Sequence, residues 1–202
     1  MPREIPRYTC RFLSRRKVIE LAERYHQEDV KNEYTDNHCI EAGRILSQCR
    51  DSQCGDARAH LRIVYRWKLQ AFRSRFRWVD RFPEGLTDEE ICHALAPARS
   101  LGEHLDQSKI AYALRALCCL PGVGIPTASA VLMAMHPQYF TVIDRQAYNC
   151  LGVDFREPLS PEEYVAYVDF CRSRAKDLRV CLKQYDQALW MCGKLNGIID
   201  EE

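Results

Sequence analysis

One stretch of the chain carries residue types at spacings that could do chemistry. Residues 119–146 read CLPGVGIPTASAVLMAMHPQYFTVIDRQ, with Gly122 and Gly124 on either side of Val123 and Asp144 standing alone after a loop. Glycine has no Cβ, so it tolerates positive φ angles and lets a foreign backbone come close. The corner Pro121, Gly122, Val123, Gly124 is followed by Pro126, Thr127, Ala128, Ser129 and Ala130, a slim first turn for a new helix. Outward amides there carry the partial positive charge of a helix N-terminus, and a phosphate oxygen is their natural guest. Such a contact is to backbone rather than base edges, so it positions DNA without reading its sequence. The plainer reading is a corner between two helices, with Asp144 as the N-cap of RQAYNCL.

The elements that must position these residues are helical nearly throughout. Residues 61–79 place Ile63, Trp67, Leu69 or Gln70, and Phe72 at helical intervals with arginines on the opposite face. Thr87 with Glu90 forms one expected capping box, and Ser160, Pro161 and Glu163 form a second. Residues 109–120 stack Ile110, Leu114 and Leu117 and should stay helical until Pro121, while a closing helix offers Tyr185, Leu189 and Trp190. No internal repeat or low-complexity linker interrupts this pattern, and residues 47–57 are the expected exposed polar loop.

Composition bounds the alternatives. The 202 residues are 47% hydrophobic and 28% charged, near the averages for globular proteins. No run reaches the length of a membrane-spanning helix, and the basic start of the chain lacks the apolar segment of a secretory signal. A cytoplasmic, nucleoid-associated monomer with no membrane contact is expected. The eleven cysteines show no repeating interval, so buried reduced thiols are expected rather than a disulfide framework. His38, Cys39, Cys49, Cys54 and His60 lack paired zinc-knuckle spacing, and no metal is expected there. The net charge of +1 conceals basic clusters at residues 1–17 and 58–81. Taken with acid gathered elsewhere, one basic face could meet a polyanion.

LPGVGIPTASAVL followed by VIDRQAYNCLG resembles the helix-hairpin-helix and catalytic-aspartate signature of the HhH-GPD DNA glycosylase superfamily, which includes endonuclease III and the 8-oxoguanine glycosylases. The family separates a position in the hairpin helix from its aspartate by eighteen residues, as Pro126 and Asp144 are separated here. The resemblance covers residues 110–152 and implies an all-α, two-lobed fold with a DNA-binding cleft between lobes. Residues 1–57 plus 153–202 would form a discontinuous lobe, and 58–152 the lobe carrying the hairpin and Asp144. It further implies a base excision repair hydrolase acting on double-stranded DNA with the base extruded. Asp144 would stabilise the cationic sugar carbon as the glycosidic bond breaks. Arg62, Arg66 and Arg73 would face DNA, and Trp67, Lys68, Tyr65, Tyr148 and Trp190 would line the base pocket.

Two departures from the family refine these expectations. Bifunctional members have a nucleophilic lysine where Pro126 stands, so a monofunctional glycosylase is expected, with Lys68 a substitute amine. Cys171, Cys181 and Cys192 are too widely spread for the iron–sulfur motif, so no cluster is expected. No cofactor is implied, although hairpin carbonyls could hold a monovalent cation. Gln48 and Gln53 are placed to fill the gap left by an extruded base. The alternative readings are a non-catalytic helix-hairpin-helix DNA-binding protein and a glycosylase acting on hypermodified foreign DNA.

Overall fold

The computed structural model describes residues 5–8, 13–49, 56–70, 85–101 and 106–199. Among them all regular structure is helical: α1 (Arg15–Asp29), α2 (Asp36–Gln48), α3 (Ala57–Leu69), α4 (Asp88–Arg99), α5 (Gln107–Cys118), α6 (Ile125–Met135), α7 (Arg145–Leu151), α8 (Pro161–Leu178) and α9 (Leu182–Ile199). No helix of the described residues is long and apolar enough to cross a membrane.

Local chemistry sets most helix starts. Both expected capping boxes form: Glu90 N–H donates to Thr87 Oγ1 and Glu163 N–H to Ser160 Oγ, while each glutamate accepts from its cap residue's amide in return. Pro161 opens α8, where a missing N–H costs nothing. Thr35 begins α2 in the same way, with His38 in place of the usual acidic partner.

The face of α3 differs from its sequence expectation. The helix is present, but Ala57, Leu61, Val64, Tyr65 and Leu69 are its buried stripe, while Ile63 and Trp67 lie at the edge. Residues spaced by three and four satisfy either stripe, and contact with α2 and α6 selects one. Phe72 and the remainder of the expected 61–79 helix lie outside the described residues, as do residues 50–55 of the polar loop.

The centre of the packing is α6, ten of whose eleven residues are buried. A helix apolar on all sides must be surrounded, and α2, α3, α5 and α8 pack on it. At the α2–α6 crossing a Cβ on Gly43 would collide with the backbone of Ala134, and at the α7–α9 crossing one on Gly193 would collide with the backbone of Gln146. Two glycines thus set the closest helix approaches. Among the cysteines, Cys39, Cys150 and Cys171 are buried free thiols. Cys92, against the expectation of reduced thiols, is disulfide-bonded. Among the described residues no three His, Cys, Asp or Glu side chains gather as a metal site would need; Cys54 is not among those residues.

A methyl group at residue 193 should force α7 and α9 apart. Gly193→Ala is expected to cost roughly 1–3 kcal/mol by overpacking, outweighing the ~1 kcal/mol that alanine otherwise gains in a helix. The melting temperature, followed by circular dichroism, should fall by several degrees. Gly124→Ala is the control, since its Cβ meets only Pro126 Cδ at 3.7 Å.

Candidate functional site

Asp144 ends a segment without regular structure, residues 140–144, of which 140–143 are buried inside an otherwise helical core. Buried backbone groups outside a helix or sheet need partners from elsewhere, and side chains supply them. Ser129 Oγ accepts from Ile143 N–H at 3.2 Å and donates to Pro126 O at 2.9 Å, tying the segment to the first turn of α6. Tyr164 OH donates to Thr141 O at 2.9 Å, Tyr167 OH to Val142 O at 3.4 Å, and Asp186 Oδ1 accepts from Val142 N–H at 3.1 Å. Asp144 then begins α7 as its N-cap, Oδ1 accepting from Ala147 N–H at 3.0 Å.

The second oxygen of that carboxylate faces Lys68. Lys68 Nζ donates to Asp144 Oδ2 at 2.8 Å, and the two side chains are only 11% and 16% exposed. The pair borders a cavity of about 760 Å³ whose rim includes Gly122, Gly124, Pro126 and Thr127. A cavity of this size lies within the range of small-molecule sites, ~300–1,000 Å³. Its wall also holds a polar network around Asp36, the first residue of α2. Asp36 Oδ1 accepts from Tyr25 OH at 2.8 Å and Trp67 Nε1 at 3.0 Å. Asp36 Oδ2 accepts from Gln187 Nε2 at 2.9 Å and lies 3.2 Å from Lys183 Nζ. Trp190 stands edge-on to Tyr25, ring centroids 5.4 Å apart.

Three aspartates, Asp36, Asp144 and Asp186, therefore share the cavity with two lysines, Lys68 and Lys183, and Glu157, Arg115 and Arg145 complete its charged lining. Each lysine is within ion-pair distance of a different one of the first two. Burial, reinforced by the nearby Asp144 carboxylate, pushes the Asp186 carboxyl up to about 8, against a smaller opposing effect of the Val142 N–H bond.

Several expected site residues come together on this cavity: Asp144, Lys68, Trp67, Trp190, Gly122, Val123, Gly124, Pro126 and Thr127 all line it. In the corner itself Gly122 has φ 74°, as only glycine adopts readily, whereas Gly124 is extended at φ −99° and is the N-cap of α6. Pro121 and both glycines are exposed, and Val123 is turned inward at 7% exposure.

Other expected residues belong elsewhere. Tyr65 is fully buried on the core stripe of α3 and does not line the cavity. Tyr148 does not line it either: one turn after Asp144 its ring packs among Tyr8, Phe155 and Tyr167, and its hydroxyl lies 2.8 Å from that of Tyr8. Arg66 is directed at Tyr34, donating to its hydroxyl at 2.5 Å with the guanidinium over the ring. Arg62 is half-buried and Gln48 exposed, both away from the cavity wall. Arg73 and Gln53 lie outside the described residues.

Asp36, Asp186, Gln187, Lys183 and Tyr25 were missed by sequence reasoning. A signal for four wall residues does exist: Lys183, Asp186, Gln187 and Trp190 fall at i, i+3, i+4 and i+7, a polar stripe on one face of α9. No family model, curated protein or solved structure matches this chain.

The raised Asp186 carboxyl has a consequence for stability. The folded chain holds this proton up to about pH 8, while the unfolded chain releases it in the ordinary carboxylate range, so stability falls as pH rises between those limits. Asn at this position keeps an oxygen for Val142 N–H but cannot ionise. The melting temperature of Asp186→Asn is therefore expected to exceed that of the parent at about pH 9, with the gap closing toward about pH 4; thermal scans across that range provide the check.

Proposed function

We propose that this chain is a DNA glycosylase that takes a damaged or modified base into the 760 Å³ cavity and breaks its bond to deoxyribose. The observation that carries this reading is that Asp144 and the exposed glycine corner border one cavity, with Lys68 Nζ 2.8 Å from the carboxylate. The corner amides would hold a backbone phosphate while Asp144 stabilises positive charge growing at the sugar C1′. In that arrangement DNA occupies a cleft between two lobes, and Trp67 and Trp190 stand beside the extruded base.

Lys68 supports a second form of the same reading. The expectation of simple hydrolysis rested on the lack of an amine at residue 126, and α3 supplies an amine against the same aspartate. After passing a proton to Asp144, Lys68 Nζ could attack C1′, displace the base and leave an imine from which the strand breaks.

One experiment separates these possibilities. Duplexes containing oxidised, alkylated, deaminated or glycosylated bases are incubated with the protein, and abasic sites and strand breaks are scored separately. Release of at least one base is expected, with Asp144→Asn lowering its rate by roughly 10²–10³-fold while DNA affinity persists. A covalent adduct trapped by sodium borohydride with the parent but not with Lys68→Gln assigns the nucleophile to Lys68. Base release with neither adduct nor breaks assigns hydrolysis. DNA binding without release of any base leaves a binding module and overturns the enzyme.

The corner has its own test. A Cβ at residue 124 meets only Pro126 Cδ, at 3.7 Å, but would stand where a DNA backbone must approach. Gly124→Val is therefore expected to weaken DNA binding at least tenfold while the protein stays folded, its stability falling by no more than the ~1 kcal/mol that a poorer N-cap costs; unchanged affinity would remove the corner from the interface.

A further inference from the structure

We infer that Asp186 is the acid of this site, delivering a proton to the base as it departs while Asp144 faces the sugar; the inference rests on the glycosylase reading. Asp186 lines the same cavity as Asp144 and Lys68. Its Oδ1 is fixed by Val142 N–H at 3.1 Å, which makes Oδ2 the place for a proton. Val142 lies two residues before Asp144, so one short segment sets the positions of both carboxyl groups.

The surroundings favour the neutral acid. From the neighbouring elements the charged groups facing Asp186 are Asp144, Asp36 and Lys68. On its own helix Lys183 lies 3.2 Å from Asp36, and Lys68 lies 2.8 Å from Asp144. Among the described residues neither lysine is within ion-pair distance of Asp186. The tyrosines that feel its charge, Tyr25, Tyr164 and Tyr167, direct their hydroxyls to Asp36, Thr141 O and Val142 O. A partly buried carboxyl with no cation of the described residues within ion-pair distance, and with two further carboxyl groups near it, holds its proton more tightly than an exposed one. The pKa of about 8 follows the same direction. Two carboxyl groups in unlike surroundings are how one site runs acid and anion chemistry together.

The step balances. The C1′–N bond breaks with its electron pair going to the base, whose ring nitrogen takes the Asp186 proton and leaves neutral. Asp186 becomes a carboxylate, and positive charge at C1′ is stabilised by Asp144. On the hydrolytic route water adds at C1′, and the proton it releases restores Asp186. On the amine route Lys68 first passes a proton to Asp144, so the Nζ lone pair rather than the Asp144 anion meets the charge at C1′; the secondary ammonium formed by that addition then gives its proton to Asp186 and restores the acid.

The test is single-turnover base release, measured from about pH 6 to about pH 10 on whichever duplex of the panel the parent protein acts upon. Release by the parent should fall about tenfold per pH unit above about pH 8. Asp186→Asn should release the base about 10²-fold more slowly near neutrality and lose that alkaline limb. A purely structural Asp186 would leave Asp186→Asn with the parent's rate and profile, because asparagine still accepts from Val142 N–H. That outcome, or a parent profile flat through pH 8, overturns the assignment without touching the glycosylase reading. Should the variant not fold, the parent's profile decides alone. Failure of the parent to release any base sinks the glycosylase reading, and this inference with it.

Discussion

The structure turns on a short piece of backbone that is buried without being helical. In a core built from helices, residues 141–143 lie outside any helix, so their amides and carbonyls have no ladder to join. Each must find a partner or bear a desolvation cost of ~1–3 kcal/mol. Ser129 from α6, Tyr164 and Tyr167 from α8 and Asp186 from α9 provide those partners. The segment is held from three sides, and Asp144 at its end inherits that rigidity. A carboxylate fixed in this way through its supporting hydrogen bonds meets the structural condition for preorganisation, in which a group is held in place before any ligand arrives.

The same partners shape the electrostatics. Asp186 is drawn inside to satisfy Val142, and its burial is what makes its carboxyl resist ionisation. Asp36 is treated differently: four donors from α1, α3 and α9 converge on its two oxygens, Lys183 among them. A buried charge so surrounded is a structural joint as well as a wall residue, because removing one partner leaves the remaining groups desolvated and exposed to the full cost. Around one cavity, then, equal side chains acquire unequal chemistry from what faces them. Close crossings at Gly43 and Gly193 hold α2 against α6 and α9 against α7.

How much of this was legible depends on range. The capping boxes at Thr87 and Ser160 were readable because cap and partner lie three residues apart and act through local backbone geometry. The apolar α5 stripe of Ile110, Leu114 and Leu117 was readable for the same reason. Tyr65 and Tyr148 were misassigned because an aromatic ring at helical spacing satisfies a core and a pocket equally well, and only the neighbours of α3 and α7 decide between them. Lys68 was read as a substitute amine in the base pocket, but its contact with Asp144 was not foreseen. Its partner lies 76 residues away along the chain, a separation that no periodicity encodes.

By itself, the sequence determined the helical character, the caps, the glycine corner and the juxtaposition of that corner with an aspartate eighteen residues beyond Pro126, all matters of local conformation and short spacing. Tertiary structure alone decided which face of α3 turns inward, that Lys68 meets Asp144, and that among the described residues Lys183 pairs with Asp36 rather than with Asp186. Those outcomes depend on burial and on distances between helices remote in the chain, and electrostatic character is a property of surroundings rather than of residue type.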